Sequence, residues 1–268
     1  MNKNSVNAAI RVLGIDIGKN LFHLHGVTES GRVGLRRQVQ RDELLPLLAN
    51  MPPCLIGMEA CGGAHQWGRK LRELGHEVKL MAPQFVKPYV KGNKHDFNDA
   101  EAICEAVQRP NMRFVAVKSV DQQEILAWHR ARSLAVGQRT AEINQIRGLL
   151  MEFGVVLPTG ARHVRERLPA ILDDEGQELA AGVRQLLREL FEALQQLDAR
   201  ILEYDRQIAA KSRQTERCRL LMTIPGIGVL TASALVASIG DPGTFRDGRE
   251  VAAWLGLTPR QHSTGGKT

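Results

Sequence analysis

Val12-Leu-Gly-Ile-Asp-Ile-Gly-Lys19 is a short apolar run that ends on a carboxylate and a glycine. Val12 to Ile15 reads as a strand. Leu21 to Val27 then alternates loosely, Glu29-Ser-Gly31 is a turn, and Arg32 to Val39 resumes as a third extended segment. Three early strands joined by short turns predict an antiparallel start. Beyond them the period changes. Asp42 to Ala49 reads as a helix, and Cys54 to Met58 as a short apolar strand ending at Glu59. Ala64 to Leu74 is helical, with Gly75 as its stop, and Val78 to Met81 is another strand. A short helix follows Pro83, and Asp96 to Val107 is helical up to the barrier of Pro110. Phe114 to Val117 is a last strand. This order predicts a mixed α/β sheet with helices on its faces and the first and fourth strands as neighbours.

The pattern after residue 118 is different. Leu126, Leu134, Ile143, Ile146, Leu149 and Leu150 fall roughly on one face of a long helix. After a break at Pro158-Thr-Gly160, a second run passes through Leu179, Val183, Leu186, Leu187, Leu190, Leu194, Leu197, Ile201 and Ile208. Spacings of three and four predict two long helices, an antiparallel arm or a coiled-coil dimer element. From Leu220 onward come a Pro225-Gly-Ile-Gly228 turn, a small-residue helix from Leu230 to Ile239 and a helix around Arg249 to Leu255. The expected division is a domain at 1–118, an arm at 119–212 and a small α-helical domain at 213–268.

Charge points to a polyanionic partner. The net charge is +7, and residues 1–118 hold most of it, with 17 lysines and arginines against 11 acids, while the remainder holds 19 against 18. Lys and Arg gain affinity for phosphates through counterion release, so the N-terminal part is the better candidate for nucleic-acid contact. None of the four cysteines forms a C-x-x-C pair, so no zinc or redox motif is visible. Arg11 and Asp16 interrupt the N-terminal apolar stretch, which excludes a signal peptide or membrane span there and leaves the cytoplasm as the expected location.

Four acids stand out. Asp16 and Glu59 each end an apolar strand, and Ala60-Cys-Gly-Gly63 after Glu59 leaves room for a ligand to approach. Asp96 and Asp99 are three residues apart at a helix start and share a face. Each has an ordinary reading when taken alone. Asp16 before Gly18 suits a turn, Glu59 suits a loop, and Asp96 and Asp99 suit a helix cap and its dipole. Together they are the all-oxygen donor set that a pair of Mg²⁺ ions requires.

The ordered motifs also carry a resemblance. Gly14-Ile-Asp-Ile-Gly-Lys19, Met58-Glu-Ala60 and Lys94-His-Asp-Phe-Asn-Asp-Ala100 resemble the three acidic motifs of the DEDD transposases. These are insertion-sequence recombinases similar to the Piv invertase, with a RuvC-like, RNase H-like N-terminal domain. Ile224-Pro-Gly-Ile-Gly228, Phe245, Ala252-Ala-Trp-Leu-Gly-Leu-Thr-Pro-Arg260 and Ser263-Thr-Gly-Gly-Lys267 resemble the C-terminal serine domain of the same family. The resemblance implies that Asp16, Glu59, Asp96 and Asp99 bind Mg²⁺. It implies that a serine attacks a DNA phosphate to form a phosphoserine intermediate, with double-stranded DNA as substrate. A structured guide RNA and a dimer or tetramer are the implied partners. Many members place the serine directly before the glycine, where this chain has Thr264, so Ser263 is the candidate and Thr264 the alternative. Relatives of this kind continue beyond the stretch that ends at Thr268, so the serine domain is expected to be incomplete. The Pro225–Gly228 turn resembles a helix-hairpin-helix, which makes Gly226 and Gly228 candidate phosphate contacts alongside Arg260, His262 and Lys267.

Other classes fit less well. Gly14-Ile-Asp-Ile-Gly18 also resembles the phosphate loop of actin-like sugar kinases, but the second Asp-Gly loop and the adenosine site those enzymes need are not found in the sequence. A RuvC-type junction nuclease would share the acids without needing the Ser-Thr-Gly-Gly segment. A truncated, non-catalytic DNA- or RNA-binding fragment is the remaining alternative.

Overall fold

In a computed structural model the protein is described over residues 9–92 and 95–258. Ser263, Thr264, Arg260, His262 and Lys267 lie outside the described residues. The chain divides into two compact units, residues 1–119 with 241–268, and residues 120–240.

The first unit is built on a six-stranded mixed sheet. Its strands are β1 (Ile10–Ile17), β2 (Leu21–Thr28), β3 (Val33–Gln40), β4 (Leu55–Glu59), β5 (Glu77–Met81) and β6 (Phe114–Val115), in the order β3-β2-β1-β4-β5-β6. β1 to β3 form an antiparallel meander, β4 and β5 continue parallel to β1, and β6 returns antiparallel. The expected mixed sheet and the neighbouring first and fourth strands are both present. The helices are α1 (Leu44–Ala49), α2 (Ala64–Glu73), α3 (Pro83–Val86) and α4 (Asp96–Ala106).

Side-chain alternation assigns the two faces of the sheet. Leu13, Ile15, Phe22, Leu24, Ile56 and Met58 point to one side and form a core with Leu44 and Leu48 of α1 and Trp67 and Leu71 of α2. Phe22 meets Trp67 edge-on with ring centroids 5.1 Å apart. Val12 packs on the other side, against Ile103, Cys104 and Ala106 of α4 and the adjoining Val107. Two glycines set how closely α4 lies on the sheet. A Cβ at Gly14 would sit 2.5 Å from the Cys104 backbone nitrogen and closer still to the Ala100 carbonyl oxygen. A Cβ at Gly57 would sit 2.8 Å from Val107 Cβ. The Cys104 thiol donates to the Val12 carbonyl oxygen at 3.7 Å in the same contact.

The second unit is helical: α5 (Val120–Glu152), α6 (Ala161–Asp173), α7 (Ala181–Gln214), α8 (Glu216–Leu221) and α9 (Val229–Ile239). α10 (Gly248–Trp254) follows in the first unit. α5 and α7 run antiparallel, as Lys211–Glu124, Arg132–Asp205 and Arg139–Asp198 show by descending in one helix while ascending in the other. The buried face of α7 is Leu187, Leu194, Ile201 and Ile208, one residue per heptad.

Two expectations are corrected here. Residues 161–173 form a separate helix whose Val164, Leu168 and Leu172 are buried, and Leu179 lies in the loop before α7. Pro169 inside α6 removes one ladder hydrogen bond and obscured the helical pattern. Leu134 is 64% exposed, and the buried line of α5 passes through Ile125, Ala135, Ile143, Ile146 and Leu150. Arg132 and Arg139 occupy the intervening seam positions, where a reading of apolar residues alone does not look. No helix among the described residues is long and apolar enough to cross a membrane.

Gly14→Ala and Gly57→Ala are each expected to lower stability by about 1–3 kcal/mol, because α4 or the sheet must shift to admit a methyl group. Gly137→Ala, in α5 with open space around its Cβ position, is expected to raise stability by roughly 0.5–1 kcal/mol. Urea unfolding of the three variants checks the contrast.

Candidate metal centre

Parallel pairing brings the two strand-end acids together. Ile15 is the register partner of Met58 and Gly14 of Gly57, so Asp16 and Glu59 follow as lateral neighbours at the ends of adjacent strands. Both have the parity of Val12, Gly14 and Gly57, which places them on the α4 face. Each acid follows, two residues on, the glycine that admits α4, and the first turn of α4 carries Asp96 and Asp99.

A carboxylate oxygen from each of Asp16, Asp96 and Asp99 lies within 4.8 Å of the others. Glu59 stands beside this group rather than inside it and feels the charges of Asp16 and Asp99. The Asp16 side chain is 27% exposed and that of Asp96 61%, so the cluster is anchored at the sheet and open to solvent at the helix.

The capping role open to Asp96 belongs to its neighbour. His95 is the N-cap of α4, and its Nδ1 accepts a hydrogen bond from the Phe97 backbone N–H at 3.2 Å. The Asp96 carboxylate is thereby left to the cluster. Sequence reasoning also missed His23. It is register partner of Asp16 across the β1–β2 hairpin and is 8% exposed. Its Nδ1 lies 3.9 Å from Asp16 Oδ2 and 3.8 Å from Asp96 Oδ2. The signal was present: Gly18 donates to the Leu21 carbonyl across a two-residue loop, and counting back from that pair sets Asp16 opposite His23.

The electrostatics match the geometry. Burial, then the charges of Asp99 and Asp96, push the Asp16 carboxyl above its ordinary value of 3.8, with His23 offsetting part of the rise. Burial, then Asp16 and Asp99, raise Glu59 above 4.5. An all-oxygen donor set whose members repel one another, partly withdrawn from water, fits a hard divalent cation such as Mg²⁺. Asp16, Asp96 and Asp99 would hold such an ion, and Glu59 flanks them.

Two of the other sequence candidates are among the described residues. Gly226 has φ +88°, a conformation that favours glycine, and Gly228 is the N-cap of α9. Both belong to the second unit, in the turn between α8 and α9.

Comparison with known proteins gives a consistent result. A DEDD-type family described as Transposase (IS110) matches residues 13–154, and the family Transposase IS116/IS110/IS902 matches residues 218–268. The chain is 52% identical over 256 residues to a Pseudomonas aeruginosa protein named "Probable family 20 transposase", covering 95% of this chain and 76% of that one. It is 43% identical to the transposase for insertion sequence element IS1328 of Yersinia enterocolitica, covering 97% and 77%. It is also 43% identical to the transposase for IS1111A of Coxiella burnetii, covering 96% and 71%.

The raised carboxyls predict a pH dependence. Between the ordinary and the raised values the folded chain binds more protons than the unfolded one, so without metal it loses stability as pH climbs through that window. Asp16→Asn removes one charge and is expected to flatten this fall. It should also raise the melting temperature in EDTA at pH 7, by about 2–4 °C per kcal/mol of repulsion relieved. A variant no more stable than its parent in EDTA would contradict the repulsion.

Proposed function

The chain belongs to the DEDD-type insertion-sequence transposases of the IS110 family, and on that premise we propose that its first unit is an RNase H-like catalytic domain for Mg²⁺-dependent DNA strand cleavage and exchange. The observation that carries this reading is the convergence of Asp16, Asp96 and Asp99 oxygens within 4.8 Å, with Glu59 alongside.

In this reading Asp16, Glu59, Asp96 and Asp99 would together hold two Mg²⁺ ions. Such ions would supply charge stabilisation to the oxygens of a phosphoryl transfer. Asp16 and Glu59 supply positions set by the sheet, and Asp96 and Asp99 close the site from α4. The Ser263 hydroxyl is the nucleophile: its oxygen forms a bond to phosphorus, its proton is lost, and the displaced sugar oxygen leaves as a hydroxyl. A serine hydroxyl is a weak nucleophile unless activated, which is why the acidic site and the serine belong to one reaction. The phosphodiester energy is kept in the serine ester, so reversal on a second DNA end joins strands without ATP.

The remaining parts of the reading are supported by the resemblance to the family alone. The α5–α7 pair, with Leu134 and Leu202 exposed along it, is the coiled-coil arm through which a dimer or tetramer assembles. The Gly226–Gly228 turn is a helix-hairpin-helix-like phosphate contact, and Arg260 and Lys267 are separate candidate phosphate contacts. A structured RNA guides the choice of DNA. The action on DNA is expected in the cytoplasm.

In a two-plasmid transposition assay, Asp16→Ala, Glu59→Ala, Asp96→Ala and Asp99→Ala are each expected to reduce recombination to background. Chelation of divalent ions should stop cleavage in vitro. Retained cleavage in the Asp16→Ala or Asp99→Ala protein would remove the metal-site role. Labelled DNA should stay attached to protein on a denaturing gel, with the label mapped to Ser263 and lost in Ser263→Ala. An adduct on Thr264 would reassign the nucleophile. Cleavage with no adduct would favour a junction nuclease.

A further inference from the structure

His23 is a buried imidazole in contact with the cluster, on a strand that carries none of the four acids. It projects from β2 onto the α4 face, opposite Asp16 in the antiparallel ladder. Its ring is packed rather than free. Phe97 meets it edge-on, with centroids 4.8 Å apart and planes at 78°. Phe97 is in turn stacked on the His95 ring at 5.8 Å and covered by the Arg36 guanidinium at 4.8 Å. With its rotamer held in this way, His23 Nδ1 stands nearly equidistant from two carboxylates of different elements, 3.9 Å from Asp16 Oδ2 and 3.8 Å from Asp96 Oδ2.

We propose that His23 is a positioning residue, a bridge between the strand-end carboxylate and the helix-start carboxylate that sets their separation before an ion binds. This rests on the reading of the acids as a metal site. Asp16 is fixed by the sheet, whereas Asp96 is largely exposed at the start of α4. An N–H dipole between the two oxygens opposes their mutual repulsion and holds Asp96 over the strand end. A short movement of either carboxylate, or one bridging water, brings each oxygen within hydrogen-bond reach of Nδ1–H. Outer partners that orient ligating carboxylates commonly contribute about 10- to 100-fold to metal affinity. The aromatic clamp adds a reason why Phe97 sits between the two helix acids: it fixes the ring that orients Asp96.

The test is ion binding by the whole chain, measured calorimetrically with Mg²⁺ and with Mn²⁺. His23→Leu keeps bulk but no donor and is expected to weaken binding about tenfold or more. His23→Asn, whose amide nitrogen takes the place of Nδ1, is expected to restore most of that loss. Melting temperatures in EDTA separate positioning from folding. A purely structural role would lower both variants' melting temperatures and leave affinity in the folded protein unchanged, which would overturn the proposal. So would an Asn variant as weak as the Leu variant. Nitrogen coupling on bound Mn²⁺ in electron paramagnetic resonance would make the imidazole a ligand instead and would also overturn it. No ion binding by the unsubstituted chain would bring down both the metal-site reading and this one. Binding that His23→Leu leaves intact would bring down this one alone.

Discussion

The contact of α4 with the bare backbone of two adjacent strands is the constraint on which the candidate site rests. Gly14 and Gly57 are register partners; a Cβ at Gly14 would collide with α4 itself, and one at Gly57 with Val107, the residue that caps its C-terminal end. Their absent side chains let the helix axis approach the sheet more closely than ordinary side-chain packing allows. That approach brings the first turn of α4 down to the strand ends. Two residues beyond each glycine, on the same face, stands an acid. A pattern of glycine, any residue, acid thus does two jobs within three residues: it seats a helix and supplies a carboxylate to that helix's N-terminal turn.

The arrangement works against the fold's own stability. Carboxylates partly withdrawn from water and near one another are costly when ionised, and burial together with neighbouring charge raises Asp16 and Glu59. The unfavourable field is what makes the site receptive to a cation. The helix partly offsets it, since negative charge at an N-terminus is favoured by the dipole and Asp96 and Asp99 both sit there. His95 takes over the capping hydrogen bond, so the dipole is used without tying Asp96 to the backbone.

The second unit solves a different problem, that of fixing one register between two helices of more than thirty residues. The heptad leucines and isoleucines of α7 would pack equally well one heptad away. The seam's charges would not. Arg132 pairs with Asp205, Arg139 with Asp198, and Arg165 of α6 holds Asp198 through two hydrogen bonds of 2.6 and 2.7 Å. A slip of seven residues would strand at least one half-buried charge without its partner, at a cost far above that of a surface ion pair.

The succession of strands and helices in the first unit, the strand-end positions of Asp16 and Glu59 and the helix that starts with Asp96 and Asp99 are all legible in the chain, because period-2 and period-3.6 patterns are local. α6 is not, since Pro169 breaks its local signal while tertiary burial of Val164, Leu168 and Leu172 sustains it. The spacing of Leu134 suggests core, yet it faces solvent, and the seam of α5 includes arginines whose partners lie 73 and 59 residues away. The residues around the acids follow the same division. The sequence by itself determined which carboxylates were available and which elements carried them. Only the tertiary structure decided that three of them meet, that His95 rather than Asp96 caps the helix, and that His23 stands between strand and helix. Those outcomes depend on cross-strand register and on how closely a helix can approach two glycines, and neither is a property of any short stretch of chain.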